Sequence, residues 1–256
     1  MHRKYQNPPV VEALCEVSFD PGQPWDGTLP GLVYNEIKQK FPKKRQQMVV
    51  QFGIQIRGQD PTSVPPPPAP PSQETFSRLQ FLSEDEKTLI QIAPDVLTVN
   101  RLKPYSSWNE LKPVIFYALD NYCKAANPKA IRKIGLRYIN RIVIPLPEVK
   151  IQDYLLASPN IPDALPQRIN VWLQRSEIPF DAAGVLVIQT GSVRESGQSG
   201  VVFLLDLDFV TAGEPFSIGT AEDKLEVAHQ NVGLAFEECV TDMARKLFNE
   251  VTSGTG

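Results

Sequence analysis

The chain reads as an α+β protein: a curved antiparallel sheet with helices on one side, laid out as two β-α-βββ-α units. Three observations carry this. Short segments of period-two alternation are interleaved with helical stripes of period 3.6. The elements after residue 128 repeat, in plan, the order of those before it. Finally, 24 prolines in 256 residues, nearly twice the ordinary share of about 5%, exclude a long-helix bundle, because interior proline removes a helix hydrogen bond and clashes with the preceding turn. With 42% hydrophobic residues the chain can bury one large core. A single domain is expected, with pseudo-repeat halves at about 8–127 and 128–251.

In EALCEVSF (12–19), Ala13, Cys15, Val17 and Phe19 alternate with Glu12, Leu14, Glu16 and Ser18, the pattern of a half-buried strand. A helix follows, with Asp26 and Thr28 as caps, Pro30 in its first turn and Leu29, Val33, Ile37 and Phe41 on one face until Pro42. MVVQFGIQIR (48–57) returns to a strand. RLQFLS and TLIQIAPDVLTVNRL, within 78–102, read as two strands joined by the charged turn 84–87. The second helix starts at Ser107, which with Glu110 has the spacing of a capping box, and its stripe is Leu111, Ile115, Leu119 and Tyr122. Pro113 inside it predicts a kink or a later start.

The second half opens with the long strand IRKIGLRYINRIVIP (131–145), a short helix near 152–156 and a proline-punctuated stretch. INVWLQRSEI, GVLVIQTG and VVFLLDLDFV supply three more strands. A closing helix over about 221–251 has the stripe Leu225, Val232, Phe236, Val240, Met243 and Leu247. This order of elements is similar to the saddle of the TATA-box-binding-protein fold, or to a helix-grip cup.

A net charge of −3 lacks the positive field that nonspecific nucleic-acid binding uses. No apolar run approaches the roughly 18 residues of a membrane span, and residues 1–13 hold no apolar run of signal-peptide length, so a cytoplasmic protein is expected. Three separated cysteines (Cys15, Cys123, Cys239) and two histidines (His2, His229) are too few for a structural zinc site and fit reduced thiols. The P-loop, GxGxxG, HExxH, EF-hand, helix-turn-helix and GxSxG spacings are absent, so neither a cofactor nor a metal is expected.

Four segments carry polar chemistry. Residues 60–73 hold seven prolines between Pro61 and Pro71, a polyproline II stretch that reads as a mobile loop before it reads as a ligand for an aromatic groove. His229 falls in the apolar stripe of the last helix, where it reads as a core histidine or a general base. Asp206 and Asp208, two apart in a strand, share a face. They suit a hard cation or acid–base work, or they pair with Arg137 and Arg141, which share a face with Lys133. Lys38, Lys40, Lys43, Lys44 and Arg45 form a basic patch that complements the negative end of the first helix, or grips phosphates.

NPPVVEALCEVSFDP (7–21), GLRYINRI (135–142) and AHQNVGLAFEECVTDMARKLF (228–248) resemble the landmarks of a sporadically distributed microbial family of conserved hypothetical proteins of about this length, which begin with a Pro-Pro-x-x-Glu-Ala signature. The matching residues are Pro8, Pro9, Glu12 and Ala13; Arg137, Tyr138 and Asn140; and His229, Phe236 and Thr241. The proline-rich insert lies outside these landmarks. The resemblance implies no established activity. The family's patchy distribution implies an accessory gene of the kind found in defence, toxin-neutralising or mobile-element neighbourhoods. Glu12, Arg137, Asn140 and His229 are the candidate polar cluster. The leading expectation is a non-catalytic cytoplasmic adaptor that presents its sheet to a protein partner. The alternatives are a helix-grip cup holding a small molecule on Arg137, Asn140 and His229, a hydrolase or nuclease using Asp206, Asp208 and His229, and, last, nucleic-acid binding through the basic patch.

Overall fold

A computed structural model of the chain describes residues 3–52, 73–166, 169–193, 200–211 and 213–251, with backbone alone at 47–52 and 73–77. The elements are β1 (Val10–Asp20), α1 (Leu29–Ile37), β2 (Lys43–Phe52), β3 (Gln73–Leu82), β4 (Thr88–Ala93), β5 (Val96–Leu102), α2 (Trp108–Ala126), β6 (Ala130–Ile144), β7 (Leu173–Phe180), β8 (Gly184–Val193), β9 (Val201–Thr211), α3 (Ala221–Cys239) and α4 (Asp242–Phe248). The protein is α+β, and its strands form one open antiparallel sheet in the order β2-β3-β4-β5-β1-β6-β9-β8-β7. Within each half the first strand is central, the last strand pairs with it, and the hairpins run outward to the edge.

The register explains the core. Phe81, Ile90, Val99, Cys15, Leu136, Phe209 and Leu186 are successive partners across seven strands, and none is more than 3% exposed. Strand side chains alternate between faces, so this row and its same-parity neighbours make one continuous apolar face. The helices lie on it. Tyr34 of α1 stacks on Phe81 at 5.2 Å and Tyr122 of α2 on Phe19 at 4.5 Å. Leu225, Ala228, Val232 and Ala235 of α3 are buried where that helix packs on β6 and β9.

Several elements differ from the sequence expectation. The segment 88–102 is a hairpin, because Asp95 takes a positive φ of 54° after Pro94 and turns the chain between β4 and β5; aspartate tolerates that conformation and proline presets the turn. The first half therefore has four strands after α1. In the second half the short helix is only a 3₁₀ turn, Ile151–Asp153. α2 starts at Trp108 and runs through Pro113. Its capping box does not form, since Ser106 rather than Ser107 donates to Glu110 (2.5 Å).

The closing helix breaks at Val240. Extended backbone there bridges Leu155, Leu156 N–H donates to Cys239 O (2.8 Å), and the Thr241 hydroxyl accepts from Ala244 N–H to cap α4. The break shifts the helical phase, so Met243 is exposed while Ala244 and Phe248 are buried. Of the expected proline-rich loop only Gln73 is described, as the first residue of β3; residues 60–72, and 53–57 of the expected strand, lie outside the described residues.

Candidate functional site

The parity that buries Cys15 and Leu136 under the helices sends Leu14, Glu16, Gly135 and Arg137 to the opposite face. No helix among the described residues packs on that face. On its first half, amides form a one-way relay across four strands. Gln80 Nε2 donates to Gln91 Oε1 (2.9 Å), Gln91 Nε2 to Asn100 Oδ1 (2.6 Å), and Asn100 Nδ2 to Glu12 Oε1 (2.5 Å). A carboxylate only accepts, so Glu12 at the end of the chain fixes which way every amide points. One row away, Glu16 accepts from Arg78 and from the Thr98 hydroxyl, each at 3.4 Å.

On the second half, Arg137 holds Asp206 with two parallel hydrogen bonds, Nε to Oδ1 at 2.7 Å and Nη2 to Oδ2 at 2.5 Å. This bidentate geometry is the strong form of a charge-assisted pair. It holds the guanidinium proton more firmly than usual, against the effect of burial. Asp208 is the register partner of Arg137 yet makes no hydrogen bond or ion pair with the described residues. Burial pushes its carboxyl up to about 6; Arg137 and Lys133 oppose the rise, while Asp206 and Glu16 add to it.

Asp208 borders a hollow of about 120 Å³ that opens where Gly135 has no side chain; Leu14, Glu16, Lys133, Arg137 and Val210 complete the lining. A Cβ at Gly135 would lie 3.5 Å from Asp208 Oδ1 and 3.7 Å from Val210 Cγ2. Gly135 was not among the residues singled out from sequence. The signal that could have found it is an isolated glycine inside the strand pattern GLRYINRI, since such a glycine marks an open or closely approached spot.

The helix side carries a separate aromatic group. His229, half-buried on α3, stacks on Trp108 at the start of α2, with centroids 4.3 Å apart and planes 13° apart. Trp108 Nε1 and Lys112 Nζ both donate to Glu226, each at 3.3 Å. The hydroxyls of Tyr105 and Tyr138 meet at 3.0 Å. Burial pushes Tyr105 up to about 12 and Tyr138 well above its ordinary value, so both phenols stay protonated at neutral pH.

The sheet therefore divides the expected polar cluster. Glu12 and Arg137 lie on the helix-free face; Asn140 and His229 lie on the other. Asn140 is 1% exposed and donates to Leu205 O at 3.0 Å, while its Oδ1 has no partner among the described residues. Asp206 and Asp208 face away from His229 as well, so these three form no catalytic set. Phe203, Leu205, Leu207 and Phe209 belong to the buried core on the helix-covered face, whereas Arg137 pairs with Asp206 on the other face, so the three residues expected to share a cup do not meet.

A larger cavity of about 710 Å³ lies elsewhere, beside Lys150, Trp172 and Phe203. The basic patch disperses. Only Lys38 sits at the end of α1, as its C-cap, because the helix stops at Ile37. Lys40 and Lys44 lie over the rings of Tyr117 and Tyr34, and Lys43 and Arg45 pair with Glu86.

Among the described residues, no group of three or more His, Cys, Asp or Glu is placed to hold a metal ion, and no helix is long and apolar enough to cross a membrane. No protein-family model matches the chain, and no curated protein matches it.

Proposed function

We propose that this chain is a non-catalytic adaptor, cytoplasmic and part of a bacterial accessory or defence-type system, which binds a protein partner on the helix-free face of its sheet. One observation carries the reading: on a face that no described helix covers, the two central strands, β1 and β6, present the half-buried Glu12, Glu16 and Arg137, held in place by the buried Asn100 and Asp206 of their neighbours and by Arg78. The amide relay and the Arg137–Asp206 pair hold its side chains in place before a partner arrives, which lowers the ordering cost of association. The order of strands outward from β1 and β6 supports the two pseudo-repeat halves, and a helix-free face supports the saddle over the cup. The microbial family resemblance supports the accessory setting.

The test is a pulldown from the native host with the full chain. Wild type and Leu234→Glu, an exposed site on α3, are expected to recover the same stoichiometric partner, while Leu14→Lys and Val210→Lys on the helix-free face lose it. Recovery of no partner, or retention by both face variants, overturns the reading.

A further inference from the structure

We infer that the hollow beside Gly135 is a socket for a lysine or arginine side chain of a protein partner, with its aliphatic stem between Leu14 and Val210 and its charge against Asp208. This rests on the reading of the helix-free face as the partner surface.

The hollow stands between the two central strands of the sheet, β1 and β6, and reaches Asp208 on β9. Its volume of about 120 Å³ is the room left where Gly135 lacks a side chain, and Leu14 and Val210 give it apolar walls. Long basic side chains bury their methylenes on such walls while the charged head seeks a polar end. The charges around it are unevenly matched. From β6, Arg137 is held by Asp206 of β9; from β1, Glu16 takes the guanidinium of Arg78 on β3, and Glu12 takes Asn100. Asp208 is left with no ion pair among the described residues, and Lys133 stands exposed at the rim. A half-buried carboxylate without a hydrogen-bond donor is costly, and an incoming ammonium or guanidinium supplies one. Arginine anchors in small central pockets are a common source of interface affinity.

The pH dependence follows from Asp208. Its carboxyl, at about 6, is mostly ionised at pH 7.5 and mostly neutral at pH 5. Attraction for a cation is therefore lost on acidification.

A random-peptide display library screened on the full chain at pH 7.5 provides the test. The recovered peptides are expected to carry a lysine or arginine, with binding about tenfold weaker when it is replaced by norleucine. Asp208→Asn and Gly135→Val in the chain should weaken binding by a similar factor, pH 5 should do so for wild type alone, and Lys133→Ala should strengthen it. If Gly135→Val disturbs the fold, Gly135→Ala replaces it, because its methyl makes only ordinary contacts.

Binders without a basic residue, no binders, or affinities unchanged by the Gly135 and Asp208 variants overturn the socket. The peptides need no native partner. A host pulldown that fails while the peptide result holds counts against the adaptor reading alone, and the reverse counts against the socket alone.

Discussion

The two faces of the sheet are made from the same strands, yet they are built by different rules. On the helix-covered face every register partner from Phe81 to Leu186 is apolar and buried, so stability there comes from the area removed from water. On the opposite face the same strands carry two sets of polar side chains joined by directed hydrogen bonds, Gln80, Gln91, Asn100 and Glu12 in one and Arg137 and Asp206 in the other. Each such bond contributes little net stability, but it fixes one geometry. One face holds the fold and the other holds a pattern, and the cost of a substitution should depend on the face it falls on.

The largest effect should come from the covered face. Phe209→Ala, at a site with no exposure, is expected to cost about 4 kcal/mol in urea unfolding, whereas Val210→Ala beside it should cost about 1 kcal/mol. Equal losses would mean the two faces pack alike. Next, Arg137→Met leaves Asp206, 8% exposed, without its partner and should cost about 3 kcal/mol. The double variant with Asp206→Leu should recover most of it, since the pair's own net contribution is small.

Asp208→Asn should have the opposite sign. The folded carboxyl titrates near 6 against an ordinary 3.8, so the native state binds the proton more tightly than the unfolded chain. Stability from this group is present below about pH 4 and lost as pH rises through 6. The amide should therefore stabilise the protein by about 2 kcal/mol at pH 7 and have no such effect at pH 4, a difference that unfolding at both pH values would read. The smallest effect is expected at Gly135→Ala. Its methyl enters ordinary van der Waals contact, so the unfolding free energy should change by no more than about 0.5 kcal/mol. Ala13→Val on the covered face, where Ala13 has no exposure, should lose about 1–3 kcal/mol by overpacking.

Much of this was legible in the residues. The alternation of Ala13, Cys15, Val17 and Phe19 gave the covered side of β1, and the spacing of Asp206 and Asp208 placed both carboxylates away from Phe203, Leu205, Leu207 and Phe209. The pairing of an aspartate with Arg137 also followed from shared parity. Other features were not legible. The break at Val240 depends on Leu155, which is far away in sequence and offers its backbone as a partner. The hairpin at Asp95 hid inside an apolar run whose length suited one long strand. The cluster of Glu12, Arg137, Asn140 and His229 failed because adjacent parity on β6 sends Arg137 and Asn140 to opposite faces.

The proline excess likewise changes meaning with structure. Pro42, expected to end the first helix, and Pro104 stand outside helices and strands, whereas Pro113 lies within α2 and Pro179 within edge strand β7, where a missing N–H leaves no gap in a two-sided ladder.

The sequence by itself determined the α+β class, the identity of most strands and helices, and which residues within a strand share a face, because these are local properties of periodicity and backbone sterics. Only the tertiary structure decided the order of strands, the reach of Arg137 to Asp206 rather than to Asp208 opposite it, and the hollow at Gly135 beside a carboxylate that has no ion pair among the described residues. Those depend on the register between segments far apart in sequence, as where Val10 pairs with Asn140, and register is settled by packing a whole face at once.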